Sequence, residues 1–403
     1  MESLRELYRI GYGPSSSHTM GPRFAAETFK ALCPQAQSYN VLLFGSLAAT
    51  GRGHMTDKCV IQVLGPKTTI DWRPGEIKPF HPNALTIQGL DAAGSVIQEE
   101  TYYSIGGGKI IKDEDKGKVP EKEVYPTLLS HMSKILRYCD REGMQIWELA
   151  LKYDDPYIMD YMEEVYAAMK DAIMRGLETE GVLPGGLKLP RKASSFYSHS
   201  RDLSGPISHS ATAISYALAV SEENAAGGKV VTAPTCGSCG VLPGLLYYFE
   251  KVYSISKPKL LRALLTAGIF GDVVKCNGSI SGAEVGCQGE VGVACAMASA
   301  AGTQLLGGSI YQIEYAAEMG LEHHLGLTCD PMMGLVQIPC IERNAMAALR
   351  ALNHTSYALL SDGRHRVSFD TIVSVMMETG QALPYLYRET SGAGLAKVKF
   401  PDL

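Results

Sequence analysis

The sequence predicts an α+β N-terminal domain followed by a mainly α-helical domain. Three observations carry this. In the first part, Leu85–Leu90 and Val96–Ser104 flank Asp91–Ser95 (DAAGS) as the arms of a hairpin. Lys112–Val124 (KDEDKGKVPEKEV) is a charge run with one proline and no apolar periodicity, the composition of a linker. Beyond it, apolar residues recur at three- and four-residue spacings. The expected units are residues 1–115 and 125–403, joined by 112–124.

Taken in order, residues 3–10 predict a short helix with Leu4, Leu7 and Ile10 on one side. Gly11–Gly21 (GYGPSSSHTMG) is a loop of turn formers and hydroxyls. Pro22 suits the first turn of a helix that runs to Leu32, where Cys33-Pro34 ends it. Tyr39–Gly45 reads as an apolar strand, Ser46–Asp57 as a glycine-interrupted turn, and Lys58–Leu64 as a helix end. After the linker, helices are expected over Pro126–Asp140, Gln145–Lys152, Pro156–Glu180, Ala211–Asn224, Leu242–Tyr253 and Lys257–Phe270. Others follow over Val291–Leu306, Ile310–Met319, Ile341–Leu352 and Phe369–Ala382. Val291–Ile313 carries no charge but is rich in Ala, Gly and Ser, so it predicts a buried helix packed through small residues rather than a membrane span.

The chain has 403 residues, 46% apolar and 20% charged, enough for two sizeable cores. A net charge of −5 gives no footprint for nucleic acid. The N-terminal MESLRELYRI is not a signal peptide, and the ten cysteines are not a secreted disulfide scaffold. The expectation is a cytoplasmic protein with reduced or metal-bound thiols.

Four of those thiols lie in two glycine-rich, nearly charge-free stretches, Ala233–Pro243 (APTCGSCGVLP) and Cys276–Gly292 (CNGSISGAEVGCQGEVG). Thiolate is a soft metal ligand, and Cys236, Cys239, Cys276 and Cys287 suggest an iron–sulfur or zinc centre. Cys236-Gly-Ser-Cys239 before a helix is also the pattern of a redox dithiol, although the βαβ context is missing. The second pair is too widely spaced for a zinc knuckle, whereas an iron–sulfur cluster tolerates irregular spacing. The plain alternative is that some of these are small buried residues. Pro14–Pro22 (PSSSHTMGP) sets hydroxyls beside a helix N-terminus, which suits a carboxylate or phosphate; a capped turn with a solvated His18 is the alternative. Gly51–Asp57 (GRGHMTD) is either a turn or a catalytic loop with His54 as base and Asp57 orienting it. Lys188 and Arg191 in GGLKLPRK suit an anionic group, or form a basic surface loop.

PSSSHTMGP, GRGHMTD, YSIGGGKI, APTCGSCGVLPG, CNGSISGAEVGCQGEVG and GLTCDPMMGLVQIPCIERNAM occur in this order. Together they resemble the iron–sulfur-dependent L-serine dehydratases over nearly the whole chain, with β-like and α-like portions on one polypeptide. The N-terminal portion also resembles the small domain of some phosphoglycerate dehydrogenases, and no room is left for the ACT domain of some two-chain relatives. The resemblance implies a [4Fe-4S] cluster on Cys239, Cys276 and Cys287. Cys329 and Cys340 match family positions without a ligand assignment. Some single-chain relatives end in a cysteine that caps the cluster. This chain ends Lys399–Leu403 without one, so either one iron stays open or Cys236 becomes the fourth ligand.

The implied reaction is elimination of water from L-serine, giving pyruvate and ammonia. An open iron would act as Lewis acid on the β-hydroxyl, with His54 or His18 as base. Ser15, Ser16, Ser17 and Thr19, with Lys188 or Arg191, would hold the substrate carboxylate. A homodimer is implied, and no nucleic-acid or membrane partner. The rivals are a related lyase acting on L-threonine or L-cysteine, a pyridoxal-phosphate lyase with an essential lysine, and a redox-sensing dithiol protein.

Overall fold

The computed structural model describes residues 1–116, 123–389 and 392–398. The first part opens with a single 3-10 turn (Leu4–Glu6) and strand β1 (Ile10–Tyr12). A tight turn over Ser16–Met20 then leads into α1 (Gly21–Leu32). Next come β2 (Ser38–Phe44), α2 (Gly45–Thr50), α3 (Thr56–Leu64), β3 (Thr68–Arg73), β4 (Ala84–Leu90), β5 (Val96–Ser104) and β6 (Ile110–Lys112). Five strands form one sheet in the order β3-β2-β4-β5-β6, parallel at β2–β3 and antiparallel elsewhere. Ala25, Phe29, Cys33 and Val60 from α1 and α3 pack on Val41, Leu43 and Ile87 of the sheet. The expected hairpin is present: the Asp91 carboxylate accepts from the Ala93 and Ser95 N–H groups at 2.9 and 2.8 Å, which fixes the turn between β4 and β5. Of the charge run 112–124, residues 117–122 lie outside the described residues.

The second part is helical: α4 (Met132–Glu142), α5 (Glu148–Tyr153), α6 (Ile158–Glu178), α7 (Ala193–Asp202) and α8 (Pro206–Ala225), then the short strand β7 (Lys229–Val231). It continues with α9 (Val241–Val252), α10 (Lys257–Asn277), α11 (Gly282–Val285), α12 (Val291–Leu305), α13 (Ile310–Glu322), α14 (Cys340–Leu360) and α15 (Phe369–Ala382). Every residue of α12 except Gln304 is buried, and α9, α10, α13 and α14 surround it. Its small side chains allow close helix approach, as expected. Among the described residues no helix is long and apolar enough to cross a membrane.

A Cβ on Gly320 of α13 would stand 2.7 Å from the Ala296 Cα of α12, and backbone cannot step aside. Gly320→Ala is therefore expected to destabilise the protein by about 1–3 kcal/mol through overpacking. This would appear as a lower thermal midpoint. A midpoint equal to wild type would show that the two helices can separate without cost.

The helix expected over residues 3–10 is reduced to one turn followed by a strand. Asp154 accepts from the Ser3 hydroxyl and the Leu4 N–H at 2.5 and 2.9 Å, which fixes the turn. Beyond it, β1 pairs antiparallel with β7, Ile10 opposite Val231. Leu4, Leu7 and Tyr8 sink against α10, where Gly268 and Gly271 make room for them, and the Tyr8 hydroxyl donates to the Leu264 carbonyl at 2.9 Å. Met1, Leu4, Leu7 and Tyr8 thus belong to the core of the helical part.

Candidate active site

A cavity of about 220 Å³ opens where several separate stretches of chain meet. Ser15, Ser16 and Ser17 reach it from the turn before α1, and His54 from the turn between α2 and α3. Thr235, Gly237, Cys287 and Glu290 come from the segments leading into α9 and α12, and Cys329, Cys340 and Glu389 from the last third of the chain.

His54 is fully buried, and its ring has one defined tautomer. Nδ1 lies 3.1 Å from the Thr50 carbonyl oxygen, which can only accept, so Nδ1 carries the proton. The lone pair of Nε2 is left on the side of Glu389, whose carboxylate oxygen is 4.0 Å away. The orienting group is therefore the Thr50 carbonyl and not Asp57, which has a buried oxygen without a hydrogen bond. Met55 directly follows at φ 56°, a left-handed conformation costly for a side chain of this kind. The Thr19 hydroxyl donates to the His54 carbonyl at 2.6 Å, so Thr19 is a strut behind the loop and not part of the cavity wall. His18 also stands behind: its ring nitrogens contact the Ser17 and Ser46 hydroxyls at 2.8 and 3.0 Å, and its ring centre lies 4.7 Å from that of His54.

Burial keeps both rings neutral. It lowers His54 from 6.5 to about 4, against the opposing Thr50 bond, and holds His18 well below its usual value with help from His54. The unfolded chain binds this proton near pH 6.5 and the native chain only near pH 4. The His54 contribution to stability is thus complete above pH 6.5 and is lost as pH falls from 6.5 towards 4. Wild type should lose about 1.4 kcal/mol per pH unit more than His54→Asn across this window. Parallel thermal midpoints for the two proteins would contradict it.

The thiols sort differently from the sequence expectation. Cys287, Cys329 and Cys340 line the cavity; Cys239, Cys276 and Cys236 do not. Cys276 is exposed on the last turn of α10, because that helix runs about two turns past its expected end at Phe270. Cys236 and Cys239 flank a 3-10 turn capped by Thr235 and Ser238, which buries both thiols while Thr235 and Gly237 face the cavity. Cys287 precedes the N-terminus of α12, and Cys340 is the first residue of α14, positions where helix dipoles favour negative charge. Cys329 is held by backbone bonds, its N–H donating to the Tyr387 carbonyl at 2.8 Å and its carbonyl accepting from the Glu389 N–H at 2.7 Å, and its thiol faces the Glu290 carboxylate at 4.0 Å.

Burial pushes the Cys287 thiol up to about 11, with Glu290 adding and Arg343 opposing. Burial also drives Cys329 and Cys340 well up, and Glu290 and Cys287 contribute to both. The Glu290 carboxyl, which accepts from the Thr235 hydroxyl at 2.8 Å, is raised by burial, as is Glu389. Acidic groups crowded into one dry cavity are the signature of a place where positive charge is to be supplied. Among the described residues, no three His, Cys, Asp or Glu side chains close around a single metal-ion position. The donor set is instead three separate soft ligands, which fits a polynuclear iron–sulfur group better than one ion.

Lys188 and Arg191 lie outside the cavity. Lys188 sits in a turn at φ 47°. Arg191 is buried in an ion pair with Glu223 at 2.9 Å, and Glu223 also binds Arg175 at 3.0 Å. Arg191 thus neutralises a buried carboxylate of α8.

Residues 107–396 match the family described as serine dehydratase alpha chain, and residues 3–69 and 63–115 match the serine dehydratase beta chain. The chain is 41% identical to L-serine dehydratase 1 of Escherichia coli, covering 98% of this chain and 99% of that protein. It is 41% identical to L-serine dehydratase of Streptomyces coelicolor and 35% identical to that of Helicobacter pylori, with 98% of each chain covered. An alpha-type helical part and a beta-type sheet part, joined on one polypeptide around this cavity, place the chain in the serine dehydratase family.

Proposed function

We propose that the chain is an L-serine ammonia-lyase that converts L-serine to pyruvate and ammonia, with a [4Fe-4S] cluster held by Cys287, Cys329 and Cys340. The observation that carries this reading is the convergence of three thiols, two of them buried and Cys340 half-buried, and the open nitrogen of His54 on one hydroxyl-lined cavity. Cys287 is kept from the expected set, and Cys329 and Cys340 are proposed in place of Cys239 and Cys276 because they share its cavity. When bound, the cluster supplies Lewis acidity to the β-hydroxyl, which is otherwise a poor leaving group.

His54 Nε2 accepts the Cα proton, since Thr50 fixes the opposite nitrogen as donor. Ser15, Ser16 and Ser17 supply hydroxyl and backbone donors on the near wall. Loss of the Cα proton and of hydroxide leaves aminoacrylate, which tautomerises to an imine. Water then converts the imine to pyruvate and ammonium, so one water leaves and one enters. Ser15, Ser16 and His54 on this wall are buried, which limits water around the base.

Protein loaded anaerobically with iron and sulfide should release pyruvate from L-serine, followed by coupled reduction to lactate. Absence of pyruvate at full iron and sulfide loading would refute the reading. Faster release from L-threonine or L-cysteine would move the activity to a related lyase.

A further inference from the structure

The segment Tyr103–Ile110 (YSIGGGKI) places Ile105, Gly106, Gly107 and Lys109 on the cavity wall. Gly106, Gly107 and Gly108 take φ of 104°, 56° and 81°, three consecutive left-handed residues that a side chain would resist. The turn they make brings Lys109 to the cavity wall. From the other side, the last turn of α10 brings Lys275. Both ammoniums donate to the same carboxylate, that of Glu2, at 2.5 and 2.6 Å. Lys275 also donates to the Glu6 carbonyl at 3.3 Å.

We propose that Lys109 and Lys275 are the residues that recognise the substrate carboxylate. This inference rests on the lyase reading of the cavity. Lysine has three donors, so after these bonds both ammoniums retain protons to give. Among the described residues lining the cavity these two are the only lysines or arginines, so they are the cationic side chains open to a substrate carboxylate there. Glu2 shows that the spacing suits a carboxylate shared between them. It also holds the pair in place before substrate arrives, so little ordering is needed on binding. Burial alone would raise the Glu2 carboxyl, yet the two lysines hold it at about 2, so the bridge stays charged throughout the neutral range. Glu284, fixed by the Ser279 hydroxyl, puts negative charge on the same wall for the ammonium end of an amino acid.

The test uses Lys109→Met and Lys275→Met in the iron- and sulfide-loaded protein. Each is expected to raise KM for L-serine about ten- to a hundredfold, the loss of one charge-assisted bond, with kcat changed far less. A second readout avoids turnover: calorimetric binding of L-alanine, which has no leaving hydroxyl, and of L-alaninamide, which has no carboxylate. Wild type should prefer L-alanine by about tenfold or more, and the variants should lose that preference. Equal binding of the two probes to wild type would overturn the proposal even if both variants fail to fold. So would an unchanged preference in folded variants, since a structural ion pair lowers the thermal midpoint without touching it. If the lyase reading itself is wrong, wild type releases no pyruvate while the alanine preference is still measurable, so the two failures are distinct.

Discussion

Cys287→Ser, Cys329→Ser and Cys340→Ser are each expected to remove bound iron and acid-labile sulfide and to lower pyruvate release about a thousandfold or more. Lewis-acid stabilisation of a departing hydroxide is worth several kcal/mol, and about 4 kcal/mol corresponds to that factor. Serine keeps the volume of cysteine but is a hard, weakly acidic ligand, so the effect isolates ligation from packing. Cys239→Ser and Cys276→Ser should retain iron. Cys276 is exposed at the end of α10, and Cys239 is walled off by the turn that carries Gly237. Iron and sulfide per chain are the deciding measurements. Full iron in Cys340→Ser together with its loss in Cys276→Ser would restore the ligand set that the sequence suggested.

His54→Asn should lower kcat by about 10²- to 10⁴-fold, the usual contribution of a positioned base. Iron content should stay unchanged, because His54 is placed by α2 and α3 and not by the thiol segments. Exchange of the Cα proton of L-alanine in heavy water, followed by NMR, reads the same step without elimination and should vanish with it. His18→Asn should act mainly on stability. Its ring bridges Ser17 and Ser46, and it is not part of the cavity wall. Retained Cα exchange in His54→Asn would transfer the base role elsewhere.

The parts of this architecture that depend on local pattern were open to sequence reading. Pro22 sits in the first turn of α1, Asp91 caps the hairpin, and the uncharged stretch from Val291 is a buried helix. Ser15–Ser17 and His54 were equally legible, since each sits in a short motif whose turn carries it to the cavity. Elements whose stability comes from distant partners were not. Strand β3 is a half-buried edge (TTIDWR), and α7 (ASSFYSHSRD) is too polar to show an apolar stripe. The grouping of the thiols has the same origin. Cys236 and Cys239 are close in sequence because they share one capped turn, whereas Cys287, Cys329 and Cys340 come to one cavity only through folding. Two clues did exist: Cys340 heads a helix immediately after Pro339, and Cys329 and Cys340 both sit in the long motif that carried the family resemblance.

The pairing of β1 with β7 sets an order of events during synthesis. Residues 1–12 are made long before the strand and helices that hold them; Tyr8 and its partner Leu264 are 256 positions apart. Closing so long a loop is slow, and until it closes Leu4, Leu7 and Tyr8 remain without their sockets on α10. Glu2 travels with this segment, so its bridge to Lys109 and Lys275 forms only when the segment docks. The wall of the cavity is thus completed at the end of folding, and a chain that has built its sheet but not yet received its own beginning holds an unfinished site.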